Sequence, residues 1–166
     1  MVRGIVSAGH PVTADAAAEI LKDGGNAFDS AIAGLLACLT PETVLASLGG
    51  GGYLMAYDAT TDQTTLYDFF VDTPRLKRPA GEIDFRSVHV DFGPATQEFH
   101  VGAGATATPG FVPGIFAVHA DLCSLPMTRI AEPAVRIARY GVTMTPFQAY
   151  LFSIIAPILT LEEAGS

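Results

Sequence analysis

The pattern of apolar and polar positions near the N-terminus predicts a short strand followed by a helix. Residues 2–8 form an apolar, β-prone run that ends at Gly9-His10-Pro11, so we expect a strand there. Thr13 is the predicted N-cap of an Ala-rich helix that runs through Asp23. Gly24-Gly25 follows at once and supplies the expected C-terminal stop.

A second helix is predicted from residue 27 to about residue 39. Asn26 is its expected N-cap, and Asp29 stands at the position where an acidic side chain completes a capping box. The interior sequence SAIAGLLACL carries no charge, which predicts a helix buried on all sides. Thr40-Pro41 is expected to end it.

The rest of the chain predicts a β-hairpin and then several helices. Apolar runs flank the polar residues 59–63, which is typical of a hairpin, and residues 75–100 contain short strand-like pieces such as SVHVDF. Helices are predicted over 115–122, from about 126 to the cap Gly141, and over 146–156. Pro133 is expected in the first turn of the second of these helices, and Pro157 is expected to end the third. This order of elements favours an α+β fold.

Composition narrows the class of protein. The 166 residues are 49% hydrophobic and 16% charged, with a mean hydropathy of +0.37, which excludes disorder and predicts an apolar surface that something else covers. We expect one incomplete domain over residues 1–166. The net charge of −8 argues against nucleic-acid binding. No apolar run reaches the length of a membrane span, and the N-terminus has no secretory leader pattern, so the compartment stays open.

The sequence contains no complete catalytic constellation. The four glycines of Gly49–Gly52 precede a strand and lack the lysine of a phosphate-binding loop, so a close approach of backbone segments is the better interpretation. The four histidines are scattered, and Cys38 and Cys123 are too far apart for a C-x-x-C motif. We therefore predict no metal site and no nucleotide site.

Three motifs in order resemble the gamma-glutamyltranspeptidase family. They are GHPVTADAAAEILKDGGNAFDSAIAGLLACLTPE, then SLGGGGYLMAYD, then ATATPGFVPGIFAVHADLCSLPMTRIAEPAVRIARYGVTMTP. The resemblance covers about residues 4–150 and matches the N-terminal part of that family's large subunit. It implies part of an αββα four-layer sandwich of the N-terminal nucleophile hydrolases.

The resemblance also implies a chemistry that needs no cofactor. Family members are precursors that cleave themselves and expose a threonine, whose hydroxyl attacks an amide carbonyl to form an acyl-enzyme. That threonine is expected beyond Ser166, so this stretch alone is expected to be inactive. The implied partners are an amide substrate, gamma-glutamyl or another acyl type, and the small subunit or C-terminal part of the same precursor.

One departure from the family pattern concerns the substrate. The family's D-F-R-E-x-A-P-like motif places an arginine against the donor's α-carboxylate, a task suited to a guanidinium. The matching stretch here is DFFVDTP, with Phe70 at the arginine position. The implied substrate-binding residues are Phe70, Asp72 and Arg75, where Arg75 would supply a cation from a shifted position. The letters D-F-R recur at Asp84–Arg86, too far from the glycines to be the preferred register.

Two other functions stay open at this point. A non-catalytic scaffold or binding protein of the same fold would lack the downstream threonine. An independent binding domain of 166 residues would instead be a monomer with its apolar surface closed.

Overall fold

The structure is a computed structural model that describes residues 4–160. It contains two compact units, each built from two stretches of the chain. The first unit comprises the chain up to Val71 together with Pro109–Thr143, and the second comprises Asp72–Thr108 together with the chain from Met144 onward. Among the described residues, no helix has the length and apolar character needed to cross a membrane.

The first unit contains four helices and one β-hairpin. In chain order they are α1 (Pro11–Lys22), α2 (Ala27–Ala37), β1 (Tyr53–Asp58), β2 (Gln63–Asp68), α3 (Phe111–Leu122) and α4 (Met127–Tyr140). The strands are antiparallel, with Tyr53 opposite Asp68 and Asp58 opposite Gln63. The buried core is formed by the four helices and by Phe69, which follows β2 directly. Its members are Ile20, Ile32, Ala33, Phe69, Phe111, Ile115, Val118 and Ile130.

The second unit is a hairpin and a helix. The strands β3 (Arg86–Asp91) and β4 (Thr96–Val101) pair antiparallel, and α5 (Pro146–Leu159) packs against β3. Short 3₁₀ turns occupy Ala80–Glu82 and Ala103–Ala105. The sequence showed only strand-like pieces in this region, and the hairpin turn between the strands is formed with Gly93 at a φ of 88°.

Several predicted boundaries are confirmed. The Asn26 side chain accepts hydrogen bonds from the Phe28 and Asp29 amides, and the Asp29 carboxylate accepts one from the Asn26 amide, so the capping box is complete. Gly24 and Gly141 adopt positive φ angles of 92° and 74° at the ends of α1 and α4. The first hairpin forms where the apolar runs placed it.

The predicted first strand and the first helix cap are wrong. Residues 4–8 form no strand, Val2 lies outside the described residues, and Ile5 is 99% exposed. A strand needs a partner for its backbone groups, and β1 to β4 pair only with one another within the part of the chain described. His10, not Thr13, caps α1: its Nδ1 accepts from the Val12 amide at 3.2 Å, because Pro11 fits the first helical position.

The predictions for proline were also wrong at two positions. Pro133 lies inside α4 and is buried, and Pro157 lies inside α5, which continues to Leu159. Local sequence favours a break at such residues, but packing of the surrounding helix outweighs that preference at Pro133. The helix α3 begins at Phe111, so that Pro113 falls in its first turn, and α2 exposes Ala31 rather than being buried on all sides.

A buried carboxylate joins α2 to the connection between α3 and α4. Asp29 is fully buried and accepts hydrogen bonds from the Asn26 amide at 2.7 Å, the Ser124 amide at 3.0 Å, the Ser124 hydroxyl at 2.6 Å and the Leu125 amide at 3.1 Å. Burial alone would raise the pKa of the Asp29 carboxyl, but hydrogen bonds from Ser124, Asn26 and Leu125 together hold that pKa below its ordinary value.

We expect Asp29→Asn to lower the free energy of unfolding by roughly 2–4 kcal/mol, because an uncharged amide with one acceptor oxygen cannot satisfy these donors. Denaturant titration of the protein measures the loss. Asp15→Asn, on the exposed side of α1, is the matched control and should change stability by less than about 0.5 kcal/mol. Equal effects of the two substitutions would contradict the assigned role.

The same carboxylate predicts an acid dependence of stability. Because its native pKa lies below its unfolded value of about 3.9, its contribution is complete above about pH 5 and is lost as pH falls through the native pKa. The difference in unfolding free energy between wild type and Asp29→Asn should therefore shrink between about pH 5 and pH 2. A difference that stayed constant over this range would contradict the ionised state of Asp29.

Candidate substrate site

The glycine run lies between two other backbone segments of the first unit. The Gly50 carbonyl accepts hydrogen bonds from the Gly110 amide at 3.2 Å and the Phe111 amide at 3.0 Å, at the start of α3. Gly52 and Phe69 exchange two backbone hydrogen bonds of 3.2 and 3.1 Å, which extends the β1–β2 ladder by one pair. The glycines thus connect the hairpin to the N-terminus of α3 through main-chain atoms alone.

A side chain would not fit at one glycine of this run, Gly51, or at two glycines near the start of α3, Gly110 and Gly114. A Cβ at Gly51 would lie 2.5 Å from the Phe69 carbonyl oxygen and 2.6 Å from the Val71 nitrogen. A Cβ at Gly110 would overlap the same Phe69 carbonyl, and one at Gly114 would overlap the Phe69 ring. We call Gly51, Gly110 and Gly114 the Phe69 seat. Close approach of backbone, as the glycine run predicted, is confirmed.

Phe69 fills this seat and belongs to the core. Its side chain is 7% exposed and meets the Phe111 ring edge-on, with centroids 6.5 Å apart and planes at 76°. Such edge-to-face contacts are favourable for aromatic rings. Because successive side chains of an extended segment point to opposite faces, the inward Phe69 forces the next residue outward.

Phe70 accordingly faces away from the core. Its ring is 54% exposed and stacks on that of Tyr53, with centroids 5.5 Å apart and planes at 9°; Tyr53 is 60% exposed. The Phe70 amide donates to the Asp68 carboxylate at 3.1 Å. The sequence predicted Phe70 as a site residue but not Tyr53; the signal for Tyr53 was its place two positions N-terminal to Met55 on the outward face of β1.

The other two predicted substrate-binding residues belong to the second unit. Asp72 pairs with Thr108 through two backbone hydrogen bonds of 3.1 and 2.7 Å, and its carboxylate accepts from the Thr73 amide at 2.7 Å. Arg75 is exposed. The alternative arginine, Arg86, begins β3 and forms an ion pair of 2.9 Å with Asp84. These contacts account for the carboxylates of Asp72 and Asp84 without a ligand.

The remaining reactive side chains have structural surroundings. His119 donates from Nε2 to the Leu125 carbonyl at 2.9 Å. Burial, together with the nearby Asp29 carboxylate, raises the pKa of the Cys123 thiol to about 12, which keeps it protonated and unreactive. Burial likewise raises the pKa of the Cys38 thiol. Residues 4–160 contain no group of three His, Cys, Asp or Glu side chains placed to hold a metal ion.

Known proteins are similar to this chain in both fold and sequence. The transpeptidase CapD from Bacillus anthracis superposes with a TM-score of 0.69 and 27% identity, over 93% of this chain and 46% of that one. The glutathione hydrolase proenzyme of Bacillus subtilis strain 168 is 28% identical over 138 residues, 83% of this chain and 23% of the relative. The acylase ACY 1 proenzyme of Pseudomonas sp. strain V22 is 31% identical over 147 residues, 87% of this chain and 26% of the relative.

These similarities define the class first. The fold is α+β, as the order of elements predicted, and it is that of the N-terminal nucleophile hydrolases, as the family resemblance implied. A sequence profile described as Gamma-glutamyltranspeptidase matches residues 13–163, and the chain therefore belongs to the gamma-glutamyltranspeptidase family. It spans about a quarter of the length of the curated relatives it matches.

The Phe69 seat predicts which glycines of the run tolerate a side chain. We expect Gly51→Ala to lower the free energy of unfolding by roughly 2–4 kcal/mol, because its methyl group would overlap the backbone at Phe69 and Val71. Gly49→Ala is the matched control, since a Cβ there meets only the Ser47 hydroxyl at 3.8 Å; it should change stability by less than about 0.5 kcal/mol.

Thermal and denaturant unfolding of both variants measure this difference. A Gly51→Ala variant as stable as Gly49→Ala would show that the backbone segments are not in contact, and would contradict the structure at this point.

Proposed function

We propose that this chain is the N-terminal part of the large subunit of a self-processing acyltransferase or amidohydrolase, and that residues 1–166 form one incomplete domain of it. Three relatives with this function support the proposal by name: a glutathione hydrolase proenzyme, an acylase proenzyme and a transpeptidase. The partner would be the small subunit, or the C-terminal part of the same precursor. The exposed apolar side chains on the outer face of the first hairpin support such a covering partner; they are Tyr53, Met55, Tyr57 and Leu66.

The proposed reaction is acyl transfer from an amide. The hydroxyl oxygen of an N-terminal threonine, supplied from outside this chain, bonds to the amide carbonyl carbon while its proton passes to the threonine's own α-amino group. The C–N bond then breaks, the amine leaves with that proton, and an acyl-enzyme remains. Water or an acceptor amine releases the acyl group. This chain would contribute the scaffold and one wall of the donor site.

Phe70 is the residue of the first unit that we assign to the donor site. A phenyl ring cannot pair with the α-carboxylate that an arginine would hold, so the donor should differ from an ordinary gamma-glutamyl compound. In the second unit, Asp72 and Arg75 are proposed as further substrate-binding residues, with Arg75 as the cation for any donor carboxylate. Its exposure leaves it available for that role.

A non-catalytic relative with the same fold is the competing function. The observation that favours it is again the phenylalanine at position 70. A protein that no longer binds the substrate carboxylate through an arginine could also have lost its activity. The two functions differ in whether the full-length product cleaves itself.

The test is the intact mass of the full reading frame's product after maturation. Two fragments, the lighter one beginning with threonine, are expected; a single chain under all conditions would contradict the enzyme and favour the scaffold. In the matured enzyme, Phe70→Arg should raise kcat/KM for gamma-glutamyl p-nitroanilide about 10-fold or more, because a charged pair with the carboxylate forms. Phe70→Leu, which removes the ring without adding charge, is the control and should give no such gain.

A further inference from the structure

We propose that one β-strand from the C-terminal part of the precursor inserts at the edge of the first hairpin, between β1 and residues 5–8. This inference rests on the proposed function, because it specifies how the partner named there joins this chain. It concerns the backbone edge of β1, which is distinct from the apolar side chains on the outer face of the hairpin.

A cavity of about 530 Å³ lies where the strand would insert. Residues 5–8 line one side of it, and Tyr53, Leu54 and Met55 of β1 line another. Its floor is formed by side chains of α1 and α2. Because no residue of β2 lines the cavity, it lies at the edge of β1 that faces away from β2. We call this cavity the edge slot.

The register of the hairpin directs backbone groups of β1 into the edge slot. Gly52 and Phe69 exchange two hydrogen bonds at the start of the ladder. Because bonded and non-bonded pairs alternate in an antiparallel ladder, Leu54 also bonds to β2. The amides and carbonyls of Tyr53 and Met55 therefore point to the opposite edge, where the part of the chain that the structure describes places no strand.

The other wall of the edge slot has the sequence of a strand without its pairing. The apolar run at residues 2–8 predicted a strand, yet residues 4–8 form no backbone hydrogen bond with any other described residue. Backbone amides and carbonyls are strong hydrogen-bonding groups that need partners. A single strand in the edge slot would pair with β1 on one side and with this segment on the other.

The edge of β1 lacks the features that protect a free edge. Natural sheets block such edges with lysine, proline or a bulge, which prevent pairing with another chain. The sequence YLMAY at residues 53–57 contains no charge and no proline, and neither does GIVSA at residues 4–8. In contrast, the second hairpin carries Arg86, Asp91 and Glu98 in its strands. The edge of β1 is therefore typical of a strand inside a larger sheet.

The floor of the edge slot suits apolar side chains. Ala31 and Gly34 of α2 are among its lining residues. Polar side chains there bond to other groups of this chain: the Ser30 hydroxyl donates to a carbonyl of α1 at 2.8 Å, and the Thr13 hydroxyl donates to the Glu42 carboxylate at 3.2 Å. We therefore expect the inserted strand to direct apolar side chains toward the floor and its alternate side chains away from it.

The C-terminal part of the proposed precursor is the source of this strand. The chain spans about a quarter of the length of the curated relatives it matches, and the proposed precursor supplies the remaining length. A second copy of this chain would bring a two-stranded hairpin to the edge slot, whose two walls leave place for one strand between them.

Hydrogen exchange on the full-length product, read at single residues, tests the inserted strand. Leu54 and Ala56 donate to β2 and are the internal controls. The amides of Tyr53 and Met55 should exchange within about tenfold of the rates of these two controls. Fast exchange at Tyr53 and Met55 beside slow exchange at the controls would show a free edge and would overturn the proposal.

Two substitutions at one position separate backbone pairing from covering of the outer face. Met55→Pro removes the amide that would donate to the inserted strand, whereas Met55→Ala shortens the same side chain and keeps the amide. Because proline is tolerated where the amide of an edge strand faces solvent, only pairing makes the two differ strongly. In the full-length product, Met55→Pro should have a Tm about 4 °C or more below that of Met55→Ala. Equal Tm values would contradict the inserted strand.

These measurements separate this inference from the proposed function, since insertion of the strand does not require cleavage of the precursor. If the product stays a single chain and hydrolyses no amide, protected Tyr53 and Met55 amides still support the strand while the enzyme proposal fails. If the product cleaves itself and these amides exchange fast, the enzyme stands and the strand is overturned. Protection that depends on protein concentration would assign the edge to a second copy and would also overturn the proposal.

Discussion

The contact on which the first unit depends is the fit of Phe69 against backbone that carries no side chains. Its main chain completes the β1–β2 ladder at Gly52, its carbonyl lies against Gly51 and Gly110, and its ring lies against Gly114. Because interiors are packed at the density of organic crystals, one added methyl group in such a place must displace backbone. The hairpin, the glycine run and the N-terminus of α3 are therefore fixed to one another around Phe69, together with the two hydrogen bonds that the Gly50 carbonyl accepts.

A second constraint is polar and lies at the N-terminus of α2. Asp29 gathers the donors of its own helix start and of the α3–α4 connection, while Asn26 donates from Nδ2 to the Leu122 carbonyl at 2.8 Å. Buried polar groups are expensive unless every partner is present, and every buried side-chain nitrogen and oxygen atom among the described residues has one. The N-terminus of α2, the C-terminus of α3 and the start of α4 are thereby held together, which helps the seat for Phe69 to keep its shape.

Sequence motifs predicted the helix starts, helix ends and hairpin turn, because these features depend on residues that are close in the chain. Asn26 with Asp29 marked a helix start, Gly24 and Gly141 marked helix ends, and the polar residues 59–63 marked a hairpin turn. The predictions failed where contacts between distant parts of the chain decide the local structure. Pro133 is buried inside α4 and does not begin it. Residues 4–8 have the apolar pattern of a strand, but no strand among the described residues pairs with them. The candidate site divides similarly. Phe70 was found by its departure from a motif, whereas its partner Tyr53 emerged only from the strand register.

The fold links these constraints to the candidate site because successive side chains at residues 69 and 70 point to opposite faces. Phe69 points inward and is fixed, so Phe70 points outward and presents its ring beside Tyr53 at a defined place. We propose that this fixed outward residue contacts the acyl group of the donor, so that a phenylalanine at the position of an arginine would change the donor and leave the scaffold intact.

The most direct test of this account is native-state hydrogen exchange at the amides of Gly52, Phe69, Gly110 and Phe111. Their hydrogen bonds hold the hairpin against α3, so we predict exchange only through global unfolding, as slow as that of Ile32 in α2. Exchange as fast as that of the exposed turn residues 59–62 would show that Phe69 is not held in its seat. It would contradict the central claim that this contact positions Phe70.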